Sequence, residues 1–253
     1  MIVVVERVLS PEELATIRAS LAGARFVDGR ASAGALAQEQ SRSGRSAAGE
    51  TESTEAYGPS RRRGSAEGAV KHVLQLDRAG DSQRDVGELV ARALLRHPKV
   101  QAVALPKSIR HPTINRYEPG MYYGPHLDAP IMSGAVTTRT DLSVTVFLSD
   151  AGDYTGGELE IDAEPTPITI KAGAGDAVLY PSGSIHRVKP VESGVRLVAV
   201  TWLQSLVRSA EQRRLLFELG DAIATLEAGD AKSDVLLRLR ATRDNLLRMW
   251  VDA

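Results

Sequence analysis

Between residues 109 and 204 the chain is a series of short β-rich runs, and this stretch constrains the fold more than any other. "TINRYEP", "DLSVTVFLS", "GGELEI", "TPITIKA", "GDAVLYP", "HRVKPV" and "VRLVAVTWLQS" are separated by Gly, Pro and Asp. β-Branched and aromatic residues suit a pleated, half-buried surface, and the intervening residues supply turns. Many short strands with turn signals between them predict a sandwich or jelly roll.

Helical patterns flank this region. "MIVVVERVL" reads as a strand leading into a helix, with Ser10 as N-cap, Pro11 at the first helical position and Glu13 closing a capping box. From 81 to 97, Val86, Leu89, Val90, Ala93 and Leu94 form a helical stripe that stops before Pro98. Beyond 205, Ser209 and Gln212 resemble a second capping box, followed by Leu215, Leu216, Leu219, Ile223 and Leu226. A further helix after Ser233 carries Val235, Leu236, Leu239, Leu246, Leu247 and Trp250. The expected architecture is mainly β with flanking helices (α+β). It has a double-stranded β-helix core, N-terminal helices and a C-terminal helical hairpin that packs on the β-domain or joins two copies of the chain. Three regions follow: a support region at 1–104, the jelly roll at 105–205 and a helical region at 206–253.

Residues 31–68 differ in character, with one Leu, one Tyr and no Val, Ile, Phe, Met or Trp. Such a segment cannot bury enough apolar surface to offset its ordering, which predicts a mobile insertion. Its "RRRG" (Arg61–Gly64) is a solvated charge run in a chain this neutral, with 31 basic against 32 acidic residues and a pI near 6.5. That balance gives no field for nucleic acid or an anionic membrane. The absence of cysteine excludes disulfides, thiolate zinc sites, iron–sulfur clusters and a Cys nucleophile. The N-terminal apolar run is too short for a signal or a membrane span, so a cytoplasmic protein is expected.

Within the β-region, "YGPHLDAP" places His126 and Asp128 at i and i+2, which share a face of an extended chain. That is half of a metal site. Of the five histidines, His97 and His111 precede prolines at element ends, where capping or surface roles suffice, and His72 is ambiguous. His186, in "PSGSIHRVKPV", opens a strand-like run and is the third ligand candidate. Two histidines and a carboxylate match the facial triad of non-haem Fe(II) oxygenases, which leaves three cis positions open. Arg196 follows in "ESGVRLVAV". With "PVESGVR" read as a hairpin turn, it falls on the strand beside that of His186, pointing into the same barrel. An arginine amid Val and Leu is costly unless it meets an anion, and its planar fork suits a ligand carboxylate. Arg139 and Asp141 in "RTDLS" either pair with each other or contact substrate at the barrel mouth.

The H-x-D, the distal His and the Arg shortly after it resemble the Fe(II)/2-oxoglutarate dioxygenases. More narrowly, "NRYEPGMYYGPHLD", "RTDLSVTVFLSD", "YTGGELEI", "GDAVLYPSGSIHRVKPVESGVR" and "WLQSLVRSAEQRRLLFEL" resemble the bacterial PKHD-type hydroxylases, relatives of prolyl 4-hydroxylases sometimes linked to iron uptake. The likeness covers about 1–30 and 70–253, with 31–68 as an extra insertion. It implies His126, Asp128 and His186 as catalytic Fe(II) ligands, one iron per chain, and Arg196 as the clamp on the C5 carboxylate of 2-oxoglutarate. Tyr117 then faces the co-substrate, and Trp202 walls the pocket. Some prolyl hydroxylases hold the 2-oxoglutarate tail with a second tyrosine; the corresponding position here is Phe147, and Thr145 on the same face takes that contact. The co-substrates implied are 2-oxoglutarate and O2, with ascorbate as reductant. The reaction implied is hydroxylation of a C–H bond in a peptidyl, amino-acid-like or siderophore-related substrate, with release of succinate and CO2. Two alternatives stand beside it: a non-catalytic iron-binding module of iron homeostasis, and a nucleic-acid demethylase of the same chemistry. The demethylases typically carry a second arginine where this chain has Trp202, so no nucleic acid is expected as partner.

Overall fold

The longest strand shows how the fold is layered. In β17 (Arg196–Ser205), Leu197, Ala199 and Leu203 join one apolar core, while Val198 and Val200 join a second. Successive side chains on a strand point to opposite faces, so β17 divides the molecule into two layers. This is a computed structural model, and it describes residues 1–29, 71–134, 137–229 and 234–252. The segment predicted as an insertion, 31–68, lies outside the described residues.

In chain order the elements begin with β1 (Val3–Val5), α1 (Pro11–Leu21), β2 (Phe26–Asp28), β3 (Lys71–His72) and β4 (Leu74–Leu76). Next come α2 (Asp81–Arg96), α3 (Pro98–Ala104), β5 (Pro106–Ile109), β6 (Thr113–Tyr117) and β7 (Tyr122–His126). The middle of the chain holds β8 (Ile131–Met132), β9 (Thr138–Arg139), β10 (Leu142–Phe147), β11 (Tyr154–Gly156), β12 (Leu159–Ile161) and β13 (Ile168–Ile170). Then follow β14 (Ala177–Pro181), β15 (His186–Val188), β16 (Val191–Gly194), β17, α4 (Ala210–Ala228) and α5 (Asp234–Trp250).

An eight-stranded sheet runs β1-β14-β10-β17-β6-β4-β2, with β5 also paired to β17. A five-stranded sheet runs β13-β12-β15-β7-β3. Every pairing is antiparallel, and the strand order interleaves early with late strands, as a double-stranded β-helix requires. Between the sheets lie Tyr117, Phe147, Val178, Tyr180 and Val198 from the large sheet and Leu159, Ile161 and Val188 from the small one. On the outer face of the large sheet, Ile17 and Leu21 of α1, Val86, Val90 and Leu94 of α2, and Val100 and Val103 of α3 pack against Val144, Leu179, Ala199 and Leu203. Each such fully buried aliphatic side chain contributes roughly 1.5–3 kcal/mol.

The capping signals fold as expected. Ser10 accepts from the Glu13 amide, and the Glu13 carboxylate accepts from the Ser10 amide. Ser209 accepts from the Gln212 amide. The expected stop at Pro98 is a stop followed at once by a restart: His97 ends α2, and its ring nitrogen accepts from the Lys99 amide to cap α3, with Pro98 at the first helical position. The C-terminal helices form a hairpin, and α4 packs on α3. A bridge between Val207 and Val251 ties the chain end back to the β-domain.

Candidate active site

His126 is the last residue of β7, and Asp128 lies just beyond it. Leu127 between them is 45% exposed, which turns both polar side chains to the interior. His186 opens β15 and stands directly opposite His126 in the β15–β7 register. The two rings are 4.2 Å apart, and His186 Nε2 lies 3.7 Å from Asp128 Oδ2. One ligand atom from each of the three residues falls within 4.8 Å of the others, the one such group among the described residues.

Their surroundings set both tautomer and charge. His126 Nδ1 donates to the Gly124 carbonyl at 2.8 Å, and His186 Nδ1 donates to the Ser184 carbonyl at 3.0 Å. Carbonyls only accept, so each Nδ1 carries the hydrogen and each Nε2 keeps its lone pair for the cluster. The Tyr123 ring stacks on His126 at 3.6 Å, and Tyr180 meets His186 edge-on at 5.0 Å. Burial, then the neighbouring His186, holds His126 down to about 4. At neutral pH it is an unprotonated imidazole, as a metal ligand must be. Asp128 Oδ2 accepts from Ser143 Oγ at 2.5 Å, and Ser143 is backed by Ser182 Oγ at 2.9 Å. Two imidazole nitrogens and one oriented carboxylate oxygen are a donor set that fits Fe(II).

Arg196 starts β17 and is 1% exposed. Its guanidinium carbon lies 5.0 Å from the Tyr117 ring centre and 5.7 Å from that of Phe147. The Tyr117 and Tyr154 hydroxyls lie near enough to the Arg196 side chain for it to oppose the rise of their pKa, yet Arg196 Nε and Nη1 and the Tyr154 hydroxyl meet no partner in hydrogen-bond geometry among the described residues. Buried donors left unpaired cost about 1–3 kcal/mol each, more when charged. A planar, charged fork with buried donors free has the chemistry to take an anion. The hairpin reading of "PVESGVR" is corrected here. Val191–Gly194 form β16, which pairs with β11 in a separate ribbon and carries the chain from the small sheet to the large one. Arg196 therefore lies between Tyr117 of β6 and the neighbouring β10, across the barrel from His186 rather than beside it.

The triad and Arg196 line one cavity of about 710 Å3, together with Tyr117, Thr145 and Trp202. All seven residues singled out in the sequence thus meet in one space. The Trp202 indole N–H is buried without a partner among the described residues. The Tyr180 hydroxyl lies within reach of Thr145 and is pushed well above its usual pKa, first by burial. Tyr180 and Ser143 were missed at the sequence level. The signal was available: Val178 and Tyr180 alternate with Ala177 and Leu179 in "DAVLYP", so one face of that strand turns inward with Thr145. Of the other polar candidates, His111 also lines the cavity, whereas Arg139, Asp141, His72 and His97 do not. Arg139 pairs with Asp141 at 2.8 Å and also donates to the Ser205 carbonyl. His72 meets Tyr122 edge-on at 6.3 Å.

Comparison with known proteins places this geometry in a class. Residues 112–204 match the 2OG-Fe(II) oxygenase superfamily, so the chain is a 2-oxoglutarate-dependent dioxygenase, and the family implies Fe(II), 2-oxoglutarate and O2. Residues 211–252 match the PKHD-type hydroxylase C-terminal domain. Full-length relatives agree. A PKHD-type hydroxylase of Hyphomonas neptunium is 40% identical over 256 residues, and one of Acaryochloris marina is 39% identical over 252, each alignment covering 100% of both chains. The chain belongs to the PKHD-type hydroxylase family. Among solved structures, a prolyl hydroxylase of Trichoplax adhaerens is similar over 85% of this chain and 86% of its own, with a TM-score of 0.47 and 16% identity.

Proposed function

We propose that His126 and His186, through Nε2, and Asp128, through its carboxylate, hold one Fe(II), and that Arg196 takes the C5 carboxylate of 2-oxoglutarate. Bound together, iron and co-substrate supply O2 activation, coupling decarboxylation to succinate and CO2 with hydroxylation of a substrate C–H bond. The chain's own residues set the geometry. The Gly124 and Ser184 carbonyls fix the imidazole tautomers, and stacking on Tyr123 fixes the His126 plane. Ser143 holds the carboxylate by its hydroxyl and so orients it beside the imidazoles. Tyr117 and Phe147 sandwich the Arg196 guanidinium, and Thr145, with the Tyr180 hydroxyl beside it, offers the tail of the co-substrate a second contact. Trp202 walls the substrate end, and Leu159, Val188 and Val200 keep water from the interior.

The substrate is a peptidyl or amino-acid-like molecule, siderophore-related compounds included, and ascorbate serves as reductant. The observation that carries this reading is the buried Arg196, with donors unpaired, lining the same cavity as the triad. Elemental analysis and succinate release test it together. The purified protein is expected to hold one iron and to form succinate from 2-oxoglutarate in air. His126→Ala and His186→Ala are expected to lose the iron, and full occupancy in both variants would overturn the ligand assignment.

A further inference from the structure

Serine suits the middle of a buried strand poorly, yet β10 carries one. Ser143 stands among Leu142, Val144, Val146 and Phe147, is 2% exposed and lines the cavity, so its hydroxyl costs free energy unless it is paired. Ser182, just past the end of β14, is buried in an unexpected place as well. Gly183 and Ile185 after it are exposed, whereas Ser182 is 3% exposed and does not reach the cavity. Its hydroxyl makes one hydrogen bond among the described residues, with Ser143 Oγ at 2.9 Å. Ser143 Oγ in turn lies 2.5 Å from Asp128 Oδ2.

Counting hydrogens fixes the direction of these bonds. A hydroxyl carries one hydrogen and a carboxylate only accepts, so Ser143 gives its hydrogen to Asp128. Ser143 Oγ then has only lone pairs left for Ser182, and Ser182 is the donor between the two. The side chains form a directed relay, Ser182 to Ser143 to Asp128, in which each bond polarises the next. It ends on the carboxylate oxygen that lies 3.7 Å from His186 Nε2. The other member of that pair is held by the same turn. The Ser184 amide donates to the Pro181 carbonyl, and the Ser184 carbonyl accepts from His186 Nδ1 at 3.0 Å. The Ser182 amide donates to the Asp141 carbonyl, and Pro181 pairs with Leu142, which fixes the turn to β10. One turn thus touches the supports of two ligands by different atoms.

We propose that Ser182 is a positioning residue of the metal site, acting through Ser143 to hold the Asp128 carboxylate toward His186. The inference rests on the ligand assignment proposed above. Without the Ser182 hydroxyl, Ser143 loses the bond that fixes its rotamer and polarises its O–H, and the carboxylate is held less firmly. Partners standing behind metal ligands in this way change metal affinity by about 10–100-fold.

Co(II) alone is the probe, because its visible absorption reports the ligand field while a titration gives the affinity. The unaltered chain is titrated first, beside His126→Ala. No binding of Co(II), or equal affinity in His126→Ala, would overturn the ligand assignment and this inference with it; the remaining results bear on the relay alone. Ser143→Ala is expected to weaken Co(II) binding about tenfold or more and Ser182→Ala about three- to tenfold, both shifting the visible bands in the same direction. In the double variant the Ser182 change should add nothing. Its Co(II) affinity is expected to stay within about twofold of Ser143→Ala, with the same spectrum, since the relay is already cut. A turn that merely packs would act on His186 whether or not Ser143 is present, and the two losses would then multiply. Each substitution removes one oxygen and keeps every carbon, so packing survives; should Ser143→Ala not fold, Ser182→Ala still decides. Unchanged Co(II) affinity and spectrum in Ser182→Ala, or losses that multiply in the double variant, would overturn the proposal.

Discussion

At the scale of single residues, Arg196 distinguishes this site from a metal site of any other kind. A charge-assisted contact contributes roughly 1.5–3 kcal/mol, and removing one partner leaves a buried carboxylate unpaired. Arg196→Ala is therefore expected to raise the KM for 2-oxoglutarate by about two orders of magnitude, at 1.4 kcal/mol per tenfold, with iron content unchanged. Arg196→Lys should fall between, because it keeps the charge and loses the planar fork. Steady-state kinetics beside elemental analysis check both, and an unchanged KM in Arg196→Ala would refute the clamp. Gly157 bears on the same group. Its φ is +65°, and a Cβ there would lie 3.1 Å from Arg196 Cδ and 2.9 Å from Val191 Cγ2. Gly157→Ala should weaken 2-oxoglutarate binding through the position of Arg196, a shift calorimetry would detect. The arginine was legible in the sequence because its charge stands out among Val and Leu. The glycine's part was not, since only the fold brings it against that side chain.

At the scale of elements, the start of α1 joins a local signal to a distant partner. Glu13 closes the capping box, and its carboxylate also receives both Nη donors of Arg96 in the last turn of α2. The Arg96 guanidinium, as the largest cause, holds the Glu13 carboxyl below its ordinary 4.5. A carboxylate with a depressed folded pKa adds stability in full above its unfolded value and loses it as pH falls through the folded one. Glu13→Gln is therefore expected to cost about 0.5–1.5 kcal/mol at neutral pH. The gap in melting temperature from the unaltered protein should close in acid, and calorimetry across pH would reveal a gap that stays constant. The crossing ribbon offers a second test. Gly194 has φ +74°, and a Cβ there would lie 2.0 Å from the Asp153 carbonyl oxygen, so Gly194→Ala should destabilise by more than about 1–2 kcal/mol in denaturant unfolding. The capping box was readable from sequence because its partners lie within one turn. The ion pair to Arg96 was not, because helix packing alone brings the two ends together.

On the scale of the whole molecule, the early and late parts of the chain share one structure. β1, β2 and β4 extend the large sheet and β3 the small one, so the first 104 residues build the barrel as well as support it. The Gly29 amide donates to the Val73 carbonyl at 2.9 Å, next to the pairing of β2 with β4. We propose that residues 31–68 are dispensable for the chemistry. A chain joining Arg30 to Ala69 through a short Gly/Ser linker should fold and still convert 2-oxoglutarate to succinate. Loss of succinate formation in a folded deletion would instead assign the segment a part in recruiting substrate. At the other end, Arg213 of α4 is 4% exposed and donates to the Val207 and Arg208 carbonyls, so Arg213→Ala should lower the melting temperature by several degrees.

Taken alone, the sequence determined what is local and periodic. The β-rich run "VRLVAVTWLQS" marked a strand, the caps at Ser10 and Ser209 marked helix starts, and the i, i+2 pair His126 and Asp128 marked one side of a metal site. These rest on geometry that repeats within a few residues, so neighbouring residue types specify them. Only the tertiary structure decided which strands lie together. It set His186 opposite His126, carried the chain across a ribbon so that Arg196 faces the triad from the other sheet, and paired β14 with β10 so that Tyr180 comes beside Thr145. Strand pairing across a long loop depends on the burial of every other strand at once, and no short stretch of sequence encodes that.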